Sequence, residues 1–100
     1  MKIEVLYFDG CPNHLPATQR VRAIVRQEGV SAEVSEIEVK DEWEARALAF
    51  PGSPTIRVNG LDIEPALRGL AHIGFACRRY PGGLPSDEMI RAALLEARGH

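Results

Sequence analysis

Close to its start the chain reads Ile3-Glu4-Val5-Leu6-Tyr7-Phe8-Asp9-Gly10-Cys11. The first six of these residues are nearly all apolar, β-branched or aromatic, as expected of a central strand that is covered on both faces. Asp9 and Gly10 end the strand pattern, and a helical periodicity follows from about residue 12 to residue 28. The sequence therefore predicts a strand-to-helix connection with Cys11 at the turn.

The rest of the chain alternates between strand and helix patterns. Asp41 with Glu44 three residues later forms a capping pattern, and Ser86 precedes a final apolar helix. Asn59-Gly60 is the strongest dipeptide signal for a tight hairpin turn. Further strands are expected at roughly 31–39, 55–58 and 75–80, and a short inserted helix is expected at 65–73.

Several large side chains are expected in the core. Leu15 and Val21 fall on the same face of the first helix, and Trp43 continues the apolar face of the second. Tyr7 is also predicted to be a core residue, whereas Asp9 is assigned to a turn.

The composition is that of a folded protein, and one hundred residues predict a single domain, 1–100. A net charge of −2 provides no basic surface for counterion-driven binding, so no nucleic acid is expected as a partner. No apolar run approaches the roughly 20 residues of a membrane helix. Because no signal-peptide pattern precedes the first strand and only two cysteines are present, a cytoplasmic protein without membrane association is predicted.

The order of these elements resembles the thioredoxin-like superfamily, with a cysteine after the first strand and Ser53-Pro54-Thr55 before the third. The resemblance covers nearly the whole chain. It implies an α/β fold, a thioredoxin-like βαβαββα sandwich with a mixed four-stranded sheet and a short insertion after the third strand. It also implies a cis bond before Pro54, which sequence alone could not establish because only about 5–6% of X-Pro bonds in folded proteins are cis.

A narrower likeness rests on three segments, Phe8-Asp9-Gly10-Cys11-Pro12-Asn13, Gly52-Ser53-Pro54-Thr55 and Cys77-Arg78-Arg79-Tyr80. They look like small bacterial thioredoxin-like domains that are sometimes grouped with organomercurial lyases. This likeness raises the handling of a thiophilic metal as a second hypothesis.

Cys11 is the predicted nucleophile. At the N-terminal end of a helix, the helix dipole and free N–H groups favour the thiolate over the thiol. His14 follows at i+3, where the imidazole could exchange a proton with the thiol if the helix begins at Pro12, or could simply be solvated. In dithiol members of the family this position holds the resolving cysteine, so reduction of a disulfide by a local pair is not expected here.

Cys77 is the other candidate catalytic thiol. On a last strand at 75–80 it would lie about 13 Å back from the end of the sheet that carries Cys11. Because a disulfide needs Cα atoms within about 7 Å, the spacing favours a buried core cysteine, and pairing stays open if the insertion shifts the strand register. Arg78 and Arg79 face opposite ways in a strand, so at most one of them points towards the site, where it could pair with an anionic substrate or the thiolate.

The proline segment is the predicted substrate-binding site, formed by Ser53, Pro54 and Thr55. The resemblance implies that the residue before the proline presents backbone groups to an extended partner chain, a mode of edge pairing. A loop proline that merely follows a helix is the alternative.

Three hypotheses of function follow. The first is a thiol–disulfide oxidoreductase whose Cys11 attacks a protein or low-molecular-weight disulfide and is released by an external thiol or by Cys77. The second is a protein that binds mercury or copper through Cys11 without turnover. The third is a non-redox interaction module. The cysteine and histidine spacing fits no zinc site, and none of the three hypotheses calls for a resident metal or cofactor.

Overall fold

The computed structural model describes residues 1–68, 73–74, 78–80 and 83–99 of the chain. In order, the elements are β1 (Lys2–Tyr7), α1 (His14–Glu28), β2 (Glu33–Glu38), α2 (Glu42–Ala47), β3 (Thr55–Val58), β4 (Leu61–Asp62), a 3-10 helix (Pro65–Leu67) and α3 (Asp87–Arg98).

The sheet has the strand order β2-β1-β3-β4. β1 and β2 are parallel, with Val5 opposite Glu36 and Tyr7 opposite Glu38, whereas β3 is antiparallel to both β1 and β4. The parallel pair requires a crossover, which α1 supplies. The prediction of an α/β protein with a mixed four-stranded sheet is confirmed.

Alternation along β1 divides the core between two faces of the sheet. Ile3 and Val5 belong to the cluster that contains the buried residues of α1 and α3. Leu6 points to the other face, where it clusters with Ala45 of α2 and with Phe50. Because successive strand residues point to opposite faces, this one strand anchors the helices on both sides.

The fourth strand is not where the sequence prediction placed it. The chain turns at Asn59-Gly60 and pairs at once, so that Leu61 lies opposite Val58 and Asp62 opposite Arg57. Of the predicted strand 75–80, residues 75–77 lie outside the described part, residues 78–79 are not in a strand, and Tyr80 makes only an isolated bridge to Gly83. The described part of the predicted inserted helix contains the 3-10 turn at Pro65–Leu67.

The predicted helix caps are present. The Asp41 side chain accepts a hydrogen bond from the Glu44 N–H at 2.9 Å, and Glu44 accepts one in return from the Lys40 N–H at 3.2 Å. Ser86 accepts from the Met89 N–H at 3.1 Å at the start of α3. No helix in the described part of the chain combines the length and the apolar character that crossing a membrane requires.

Two residues predicted for the core are exposed instead. Trp43 is 82% exposed and Leu15 is 61% exposed. Each lies two residues from a buried alanine, Ala45 on α2 and Ala17 on α1, which places it about 200° around the helix from the buried face. The prediction was wrong because both residues lie on the opposite side of their helix from its buried residues.

Candidate functional site

Cys11 lies in a tight loop between β1 and α1. Its N–H donates to the Phe8 carbonyl at 3.2 Å, and Gly10 between them has a φ of 85°, a left-handed conformation that suits glycine. The Cys11 side chain is free of disulfide bonding and only 9% exposed. The sequence correctly predicted the position of this thiol between the first strand and the first helix.

The helix begins later than predicted. α1 starts at His14 rather than near Pro12, because Pro12 and Asn13 form a turn closed by the His14 N–H bonding the Cys11 carbonyl at 3.3 Å. Ala17 bonds back to Asn13 at 3.0 Å, and Pro16 has no N–H to offer. Few N–H groups therefore remain at the start of α1 to stabilise an anion near Cys11.

The predicted proline segment lies beside the cysteine loop. The Ser53–Pro54 bond is cis, as the resemblance implies. The Phe8 N–H donates to Ser53 Oγ at 3.3 Å, while the Phe8 carbonyl accepts from Cys11. Phe8 is thus hydrogen-bonded both to Cys11 and to Ser53, which are more than forty residues apart in the sequence.

His14 is held by groups that the sequence did not indicate. Its Nε2 lies 2.9 Å from Glu36 Oε1, and its ring stacks on the Tyr7 ring with centroids 3.5 Å apart and planes 5° from parallel. In the described part of the chain, no hydrogen bond joins His14 to the Cys11 thiol. The i+3 spacing therefore places the imidazole next to the loop, but its direct contacts are to the sheet.

Tyr7, the last residue of β1, lies near several carboxylates. Desolvation raises the pKa of its phenol, and the carboxylates of Glu38, Glu36 and Asp9 raise it further. Glu36 and Glu38 share the α1 face because they lie opposite Val5 and Tyr7 in the register. The alternation of side chains along β2 predicts that Glu36 and Glu38 share one face. That this face lies beside Tyr7 follows only from the register with β1, which is known from the structure.

Arg78 is buried beside the proline segment rather than exposed to a substrate. Its guanidinium bonds both carboxylate oxygens of Asp62 at 2.8 Å and also Glu64 at 2.8 Å. Arg79 is exposed, although residues 78–79 do not form the predicted strand. This ion-pair cluster could not be predicted from local sequence signals, since Asp62 lies in a strand of only two residues.

The predicted docking groups are already hydrogen-bonded within the chain. The Ser53 carbonyl accepts from the Arg78 N–H at 2.7 Å, and Thr55 Oγ1 donates to the Gly52 carbonyl at 2.6 Å. Ser53 and Thr55 are fully buried.

Cys77 lies outside the described residues, so the Cys11–Cys77 distance stays a prediction. Within residues 1–68, 73–74, 78–80 and 83–99, no group of three or more His, Cys, Asp or Glu side chains could hold a metal ion.

Comparison with known proteins gives no match: no protein-family model, no curated protein and no solved structure matches this chain.

Proposed function

We propose that this chain is a thioredoxin-like thiol–disulfide redox protein in which Cys11 supplies the nucleophilic sulfur. The observation that carries the proposal is the pair of hydrogen bonds through Phe8, which ties the cysteine loop to the Ser53–Pro54 segment. The sheet order β2-β1-β3-β4, with helices on both faces, supports the same fold family.

The reaction has two balanced steps. The Cys11 thiolate attacks one sulfur of a disulfide R–S–S–R′, forming a Cys11–S–S–R bond while R′S⁻ leaves and takes up a proton. A second thiol R″SH loses its proton and attacks the R sulfur, which releases the Cys11 thiolate and forms R–S–S–R″. The second thiol comes from a low-molecular-weight thiol such as glutathione or from another protein. If Cys77 acts instead, its thiolate attacks the Cys11 sulfur, RS⁻ leaves with the proton that Cys77 lost, and a Cys11–Cys77 disulfide remains, which two external thiols R″SH reduce while forming R″–S–S–R″.

His14, three residues after Cys11, is the residue that we propose to move the proton. A carboxylate only accepts hydrogen bonds, so the contact with Glu36 assigns the proton of the neutral ring to Nε2. The lone pair then lies on Nδ1, which can accept a proton from the thiol or, when protonated, deliver it to the leaving thiolate. The Tyr7 ring and Glu36 fix the ring plane that such a transfer needs.

Alkylation kinetics test the proposal. In a Cys77→Ser variant, where Cys11 is the remaining thiol, iodoacetamide is expected to react faster than with N-acetylcysteine at about pH 6.5, where simple thiols are almost wholly protonated. Cys11→Ser is the matched control and should not react. If Cys11 followed the reference thiol over the whole pH range, the activated-thiol mechanism would be wrong.

Disulfide turnover in the same variants distinguishes the remaining alternatives. Unchanged turnover in Cys77→Ser would show that an external thiol releases Cys11. Loss of mercury or copper binding in both single cysteine variants, with no disulfide exchange in the wild type, would favour the metal-binding hypothesis instead.

A further inference from the structure

A second part of the chain lies along the proline segment. Residues 73–74 and 78–80, here called the covering residues, make hydrogen bonds to residues 50–54. The Gly74 N–H donates to the Phe50 carbonyl at 3.0 Å, and the Arg78 N–H donates to the Ser53 carbonyl at 2.7 Å. The Tyr80 hydroxyl donates to the Pro54 carbonyl at 2.8 Å. Gly74, Arg78 and Tyr80 bond Phe50, Ser53 and Pro54 in that order, so the covering residues follow residues 50–54 in the same chain direction.

These contacts occupy the groups through which an extended partner would bind. The carbonyls of Gly52, Ser53 and Pro54, three in succession, all accept hydrogen bonds from within the chain. Pro54 has no N–H, and residues 52–56 are all buried. Adding a strand requires exposed backbone donors and acceptors without partners, and these three carbonyls do not provide them.

Buried charges anchor the covering residues. Arg78 bonds Asp62 twice and Glu64 once, and its guanidinium carbon lies 4.4 Å from the centre of the Tyr80 ring. Arg78 Nη1 also bonds Thr55 Oγ1 at 3.1 Å. Moving Arg78 away would leave the Asp62 carboxylate buried and unpaired, which is strongly unfavourable. A polypeptide substrate would have to displace this arrangement before it could pair with Ser53.

We infer that the covering residues occupy the position where a partner strand would pair and so exclude extended polypeptides from the proline segment. If Cys11 acts as proposed above, its substrate is therefore a low-molecular-weight disulfide or thiol, which does not need backbone pairing. The low exposure of Cys11 favours the same class, because a small molecule reaches a recessed sulfur more readily than a folded protein does.

Two mixed disulfides with the same leaving group test the substrate class. Glutathione and a linear peptide with a central cysteine are each joined to 2-nitro-5-thiobenzoate, and the coloured thiolate is followed as Cys11 of the Cys77→Ser variant displaces it. The peptide-to-glutathione rate ratio is expected to equal the ratio for N-acetylcysteine. A ratio about tenfold higher, the effect of one or two docking hydrogen bonds, would overturn the inference.

Hydrogen exchange at the Arg78 amide tests, without relying on thiol chemistry, whether the covering residues stay bound to the proline segment. In the Cys11→Ser variant, this amide is expected to exchange at least about a hundredfold more slowly than in an unstructured peptide, and an excess of the linear peptide should not change its rate. Unprotected exchange, or exchange altered by the peptide, would overturn the inference. If Cys11 reacted with both mixed disulfides no faster than N-acetylcysteine does, the proposed function would be wrong. The exchange rate of the Arg78 amide would still show whether the covering residues exclude the peptide.

Discussion

Arg78 and Asp62 form a bidentate ion pair, with Nη1 2.8 Å from Oδ2 and Nη2 2.8 Å from Oδ1. Their side chains are only 5% and 8% exposed. Burial by itself would lower the pKa of Arg78, but hydrogen bonding to Asp62 and the attraction of nearby negative charges raise it overall. Such a buried ion pair adds little to the stability of the fold relative to a pair of apolar side chains. Removing one partner, however, lowers the stability strongly, because the other charge is left buried and unpaired.

Arg78→Met is expected to lower the free energy of unfolding by about 3–5 kcal/mol, because Asp62 is left charged and buried without its partner. Urea unfolding followed by circular dichroism measures the change. Arg79→Met is the matched control and should change stability by less than about 0.5 kcal/mol, since Arg79 is exposed. Adding Asp62→Asn to Arg78→Met should recover part of the loss, and a double variant less stable than the single one would contradict this explanation.

Tyr80→Phe is expected to lower stability by about 1 kcal/mol near neutral pH, through loss of the hydrogen bond to the Pro54 carbonyl. It should also change the dependence of stability on pH. Burial raises the pKa of Tyr80 above the ordinary value of 10.0. The positive charge of Arg78 opposes this rise, whereas the carboxylates of Asp62 and Glu64 add to it. The folded protein therefore keeps a proton that the unfolded chain releases, so this contribution to stability is complete below about pH 10 and declines as the pH rises further.

Unfolding experiments at several pH values between about 8 and 11 check this sign. The stability of the wild type should fall more steeply above about pH 10 than that of Tyr80→Phe. Parallel curves for the two proteins would show that the folded state does not hold the Tyr80 proton more tightly.

Glu38→Gln is expected to lower the pKa of Tyr7 towards its ordinary value, because it removes the largest of the carboxylate contributions. The measurement is a tyrosinate absorbance titration in a Tyr80→Phe background, where Tyr7 is the remaining tyrosine. Glu33→Gln is the control: it removes the same charge from the same strand, but Glu33 lies opposite Lys2 and points to the other face. Equal shifts in both variants would mean that net charge, rather than position, sets the pKa.

His14→Asn is expected to slow disulfide exchange by Cys11 by roughly tenfold or more near neutral pH, through loss of a positioned proton acceptor and donor. The two rates should converge at high pH, where the thiol is ionised without help. Leu15→Asn, a change at the neighbouring exposed position, should leave the rate unchanged. An equal loss at every pH would assign His14 a structural role through its contacts with Tyr7 and Glu36.

Local signals in the sequence predicted the parts of the fold that depend on neighbouring residues. The Asp41–Glu44 cap, the Asn59-Gly60 turn and the Ser86 cap were readable because each involves residues at most four positions apart. The position of Cys11 after β1 was readable for the same reason, since a change of hydrophobic period marks the end of a strand.

Contacts between distant residues could not be predicted in this way. Pairing of His14 with Glu36 spans 22 positions and depends on the β1–β2 register. The short strand β4 was missed because its second residue, Asp62, is a charged side chain that is buried only through its pairing with Arg78. In the sequence, a charged residue at this position is typical of a loop. The partner that allows Asp62 to be buried is known only from the folded structure.

Trp43, with 82% of its surface in water, is the single tryptophan of the chain. Its indole is nearly as hydrated in the native protein as in a denatured one, so intrinsic fluorescence will barely report the loss of the core. Because the Trp43 indole is exposed, its fluorescence should instead report the binding of any molecule that covers α2.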